Sequence, residues 1–130
     1  MKLARTLLYI GGAANALFFL FHLWLGWRIH QWAQLPAGAR PLMEMLNGGG
    51  ALFVLFLAVA SLAFNAEILV TGLGRLVLAL GVTLYGLRAL AEFVVTPSFT
   101  PAIFATCLVT SLLYLGALGF KPAKSPPPPS

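Results

Sequence analysis

Four apolar stretches, each long enough to cross a hydrocarbon layer, take up most of this 130-residue chain. They run from about Leu3 to Trp27, Leu42 to Phe64, Gly72 to Val95 and Pro101 to Phe120. A helix needs roughly 20 apolar residues to span a bilayer, and a backbone in lipid must bond to itself. Composition closes the alternative of a water-soluble core. The chain is 60% hydrophobic and 8% charged, with a mean hydropathy of +0.93, whereas a soluble domain carries about 25% charged residues. The expectation is an all-α protein: one domain over residues 1–120, built as an up-down-up-down bundle of four transmembrane helices.

The connections carry their own signals. Trp27, Arg28, His30 and Trp32 read as an interfacial turn of helix, broken by Pro36, Gly38 and Pro41. Trp24, Trp27 and Trp32 are all the tryptophans in the chain, and their clustering marks a membrane–water boundary. Asn65 to Thr71 is a short connection holding Glu67, and Thr96 to Pro101 is a tight turn whose last residue suits the first turn of a helix. Gly48-Gly49-Gly50 near the start of the second stretch permits either close helix contact or a kink. The Pro-rich tail from Lys121 to Ser130 cannot form a core and reads as an extended, disordered end. Lys2, Arg5 and the small-residue run Ala14-Asn15-Ala16 have the look of a signal peptide. The apolar run continues unbroken to Trp24, however, which favours a retained helix.

The formal net charge is +5. No basic run with interleaved aromatic residues accompanies it, so nucleic acid is not an expected partner; the bilayer is. Lys2, Arg5, Arg75, Lys121 and Lys124 flank one side of the threaded spans, against Arg28 and Arg40 on the other. The positive-inside rule then places both termini in the cytoplasm, with the 28–41 and 96–101 connections outward, and a bacterial cytoplasmic membrane is the expected location. Cys107 is the single cysteine, which excludes an intrachain disulfide and a cysteine metal cluster.

Steps of three and four residues collect the small and polar side chains of each stretch on one stripe. The stripes are Gly12, Asn15, Phe19, His22, Gly26; Glu44, Asn47, Ala51, Val54, Ala58, Ser61, Asn65; Gly74, Leu78, Gly81, Tyr85, Arg88, Glu92; and Ile103, Cys107, Thr110, Tyr114, Ala117. Small and polar residues pack between membrane helices while large apolar ones face lipid. The spacing near seven suits a left-handed bundle.

Intramembrane charge is expensive and marks candidate sites. His22, Glu44, Asn47, Arg88 and Glu92 come from three stretches, and alternate threading brings all five to the outer layer. His22 lies about 7.5 Å inside the Trp27 end at ~1.5 Å per residue. Arg88 can pair with Glu92, four residues on, or with Glu44 of the neighbouring stretch; the remaining carboxylate would meet His22 or hold a proton. Two uses of such a cluster are open. It binds or transports a small lipid-like or quinone-like ligand entering near Trp24 and Trp27. Alternatively, it staples the helices of a structural or assembly subunit, in a homo-oligomer or a larger membrane complex.

No HExxH, P-loop, GxSxG or cysteine-metal motif occurs, so an enzyme using Glu44 or Glu92 with His22 as acid and base has no motif behind it. No cofactor is expected. Haem held by His22 of two subunits is the one alternative, because His22 and His30 differ by roughly 80° around a helix. The segments Phe21-His22, Arg40-Pro41-Leu42-Met43-Glu44-Met45-Leu46-Asn47, Leu73-Gly74-Arg75 and Leu87-Arg88-Ala89 resemble a group of small bacterial four-helix membrane proteins with no assigned activity. The resemblance covers most of the chain up to Val95. It implies the four-helix membrane fold and carries over no activity, cofactor or site residue.

Overall fold

The computed structural model describes residues 2–94 and 99–120. The helices are α1 (Lys2–Gln31), α2 (Ala39–Ala63), α3 (Asn65–Val70), α4 (Gly72–Val94) and α5 (Pro101–Gly119). The protein is all-α, and α1, α2, α4 and α5 are each long and apolar enough to cross a membrane. Much of the 96–101 turn, the Pro-rich tail, and Lys121 and Lys124 of the charge asymmetry lie outside the described residues.

Neighbouring helices run in opposite directions. Along α1 and α2, Gly12 meets Ser61, His22 meets Asn47 and His30 meets Glu44. Along α4 and α5, Arg75 Nη1 donates to the Phe120 carbonyl at 3.2 Å, and Ser111 Oγ donates to the Val82 carbonyl at 2.9 Å. α1 packs along α2 on one side and against α5 on another, and α4 packs along α5. The bundle therefore has one end with the start of α1 and the finish of α5, and an opposite end with the 32–38 connection.

The outside of the bundle is as apolar as the inside. Leu17 is 67% exposed, Leu52 70%, Leu73 73% and Met45 76%. Monomeric soluble proteins rarely expose contiguous apolar surface on this scale; lipid as the solvent accounts for it. The interior combines apolar and aromatic side chains, among them Leu8, Leu57, Leu78, Tyr85 and Tyr114, with buried polar ones such as Asn15, Ser61 and Thr110. This is the architecture of a multi-pass membrane protein.

Three boundaries differ from the sequence reading. α1 runs four residues past Trp27, and its last turn carries Arg28 and His30, cations suited to a helix C-terminus. α2 begins three residues earlier than expected and includes Pro41 in its first turn, where a missing N–H costs no hydrogen bond. The connection after α2 is itself a short helix, α3. Asn65 Nδ2 donates to the Leu62 carbonyl at 3.3 Å, bonding a backbone group at the break. Thr71 then caps α4: its Oγ1 accepts from the Gly74 N–H at 2.9 Å. A Cβ at Gly74 would fall 2.2 Å from Ile68 Cα, so only glycine lets α3 fold back this closely onto α4. The glycine triplet produces no break, because α2 is continuous through it.

Candidate functional site

At the middle of the bundle each of the four long helices contributes one side chain to a closed hydrogen-bonded group. Asn15 of α1 is the hub. Its Nδ2 donates to the Gly11 carbonyl at 2.7 Å and to the Tyr114 hydroxyl at 2.8 Å, and its Oδ1 accepts from the Tyr85 hydroxyl. Ser61 Oγ lies 2.9 Å from the same Tyr114 hydroxyl. All four side chains are buried, Asn15 and Ser61 completely. The two tyrosine rings stack with centroids 6.4 Å apart, and Phe18 covers Tyr85 at 5.5 Å. Gly81 makes room, since a Cβ there would come within 3.1 Å of the Tyr114 ring. Both amide protons and the amide oxygen of Asn15 are used, so the group is satisfied internally, as buried polar atoms must be.

The five residues singled out by depth are held in three separate groups among the described residues. His22 and Asn47 bond reciprocally between α1 and α2. The His22 Nδ1 lies 2.9 Å from Asn47 Oδ1, and Asn47 Nδ2 donates to the His22 carbonyl at 2.9 Å. Glycines on both helices seat this pair. A Cβ at Gly26 would fall 2.9 Å from Asn47 Nδ2, and one at Gly50 would fall 3.0 Å from the His22 ring. Only Gly50 of the glycine triplet meets a neighbour in this way; Gly48 and Gly49 face open space.

Glu44 reaches neither Arg88 nor His22. It pairs with His30, whose Nδ1 lies 3.1 Å from Glu44 Oε1 near the end of α1. Arg88 pairs with Glu92 along α4. The Glu92 side chain is fully buried while that of Arg88 is 43% exposed. The second carboxylate oxygen of Glu92 accepts from the Thr100 N–H at 3.2 Å, tying α4 to the start of α5. Phe93, Phe99 and Phe104 stack over the same corner with centroids 4.9–5.5 Å apart. Among the described residues no three His, Cys, Asp or Glu side chains converge as a metal ion would require.

Open space lies elsewhere, at the 32–38 end. A cleft of about 580 Å³ runs between the last turns of α1, the connection and α2, lined in part by Trp24, Arg28, Gln31, Trp32, Gln34 and Met43. Two tryptophans contribute to its lining, and the Arg28 guanidinium stands 5.9 Å from the Trp24 ring centroid. Arg40 Nη2 donates to the Trp32 carbonyl at 3.1 Å, and the Ala39 N–H donates to the Pro36 carbonyl at 2.9 Å. These bonds fix the connection that forms the far wall. The sequence signal for this site was the tryptophan cluster; the polar cluster drew attention to side chains that partner one another. A second, wholly lateral groove of about 340 Å³ separates α1 from α5 beside Ala14 and Ala105.

Comparison of the chain with family models, curated proteins and solved structures finds no match to any of them.

Proposed function

We propose that this protein is a membrane-embedded binding module that takes up an amphipathic small molecule in the cleft between Trp24 and Trp32. The observation that carries this reading is the cleft itself: about 580 Å³, within the range of small-molecule sites, with apolar walls and a few polar groups. Tryptophans prefer the level where hydrocarbon gives way to headgroups. A ligand with an apolar body and a polar end would find both environments there. Under the positive-inside threading this end faces outward, so the ligand is drawn from the outer leaflet. The test is native mass spectrometry of protein extracted gently from its own membrane, with an absorbance spectrum of the same sample. The reading predicts a stoichiometric added mass that is lost in Trp24→Ala and Trp32→Ala. A bare mass, or an added mass unaffected by either change, would overturn it.

A specific observation favours a second reading for the charged and polar groups deeper in the bundle. His22 and Asn47 spend both of their described hydrogen bonds on each other, and Asn15 spends all of its own inside the bundle. Groups bonded in this way hold helices together, which lipid alone does not do. In that reading the protein is a structural or assembly subunit, and a co-purifying protein in the same mass spectrum would establish it.

A further inference from the structure

We infer that the ligand of the Trp24–Trp32 cleft is an anionic phospholipid of the surrounding bilayer, its phosphate held by Arg28. This rests on the binding reading above and adds the charge and source of the occupant. Among the residues lining the cleft Arg28 is the only charged one, and Gln31 and Gln34 add amide donors. Arg28 has no carboxylate within ion-pair distance among the described residues, unlike Arg88, which has Glu92. A guanidinium presents a planar fork of N–H donors that matches a phosphate. The remaining lining, Trp24, Leu25, Ile29, Trp32, Ala33 and Met43, is apolar or aromatic, as a lipid's glycerol and upper acyl segments require. Arg28 sits one residue beyond Trp27, at the level where phosphates of the leaflet lie if the tryptophans occupy the interface. A free phosphate would fill the cation's share of the cleft and leave the apolar walls uncovered; a lipid covers both.

The tryptophans make the test direct, because all three in the chain lie at this end. The protein is reconstituted in bilayers of phosphatidylcholine containing small amounts of brominated lipid, either phosphatidylglycerol or phosphatidylcholine, and tryptophan quenching is measured. The brominated anionic lipid should associate about fivefold more strongly than the zwitterionic one, the effect of one basic side chain beside anionic lipid. Arg28→Gln should remove the preference and Arg28→Lys should keep part of it. Arg5→Gln, an equal loss of charge at the opposite end, should leave it intact. Equal quenching by the two lipids would overturn the inference, as would a preference that survives Arg28→Gln in a protein of unchanged helical content. Loss of the preference on adding millimolar inorganic phosphate would assign the site to a free anion instead, against the inference. A neutral bound mass in the native spectrum would sink the anionic assignment and leave the binding reading standing. No bound mass at all would end both.

Discussion

Replacing Asn15 with leucine, a side chain of similar size, tests the four-helix hydrogen-bonded group. The change removes two bonds between helices, to Tyr114 and from Tyr85. Interhelical side-chain hydrogen bonds in membranes average about 0.6 kcal/mol and reach about 1.7 kcal/mol. Two of them give about 1–3 kcal/mol. The bond to the Gly11 carbonyl adds little, because that carbonyl also accepts from the backbone of its own helix. The Tyr85 hydroxyl, buried with the rest of its ring, is left without its acceptor, at a cost of about 1 kcal/mol or more. Asn15→Leu should therefore destabilise the bundle by about 2–4 kcal/mol. Tyr85→Phe alone should cost about 1–2 kcal/mol, through the lost bond and the unpaired Asn15 oxygen. In the Asn15→Leu background, however, Tyr85→Phe removes an orphaned hydroxyl and should be close to neutral. The double variant then falls short of the sum of the singles by about 1 kcal/mol or more. Reversible unfolding in bicelles, followed by helical circular dichroism, gives the four free energies. Singles and double that add to within about 0.3 kcal/mol would refute the coupling.

Other sites give sharper rankings than magnitudes. Gly74→Ala should destabilise strongly, by about 2–3 kcal/mol, since the clash is with Ile68 backbone; Gly48→Ala, which faces open space, should be neutral or mildly stabilising by the same unfolding assay. Arg88→Leu should cost about 3 kcal/mol because it strips the guanidinium from a buried carboxylate, whereas Glu92→Gln, leaving a half-exposed Arg88, should cost clearly less. Equal losses for the two variants in thermal unfolding would contradict the asymmetry. His22→Ala should cost about 1 kcal/mol through its bonds to Asn47, and Asn47→Ala in that background should add little.

Much of the packing was legible because lipid reverses only part of the usual rule: large apolar residues face out, and small or polar ones mark the interface. On the third stretch Gly74, Leu78, Gly81, Tyr85 and Glu92 are buried while Arg88 of the same stripe is exposed, and on the fourth Cys107, Thr110, Tyr114 and Ala117 are buried while Ile103 is only partly so. Asn15, Ser61, Tyr85 and Tyr114 each lay on one of the four stripes, but a stripe gives a face and not a partner. On α1, Gly12 and Asn15 of the stripe are buried, whereas Phe19, His22 and Gly26 are only half-buried and Ile29 is buried instead. The hydrogen-bond partners of His22 and His30 there, Asn47 and Glu44, both come from α2. α3 escaped notice because six residues are too few to show a period. Depth from threading brought five polar residues to one layer, but direction around each helix axis decides which of them touch. That geometry pairs Glu44 with His30 of the interfacial turn and gives His22 an amide in place of a carboxylate.

On the binding proposal, the Trp24–Trp32 cleft selects an anionic phospholipid over the rest of the bilayer. A photoreactive side chain incorporated at Met43, which lines the cleft, measures this directly when compared with one at Leu52, 70% exposed on the outer face of α2. After irradiation in native membranes, the mass of each adduct identifies what was in contact. The expected adducts at Met43 are enriched about fivefold in anionic phospholipid relative to those at Leu52, which follow bulk lipid composition. The same mixture at both positions would contradict it.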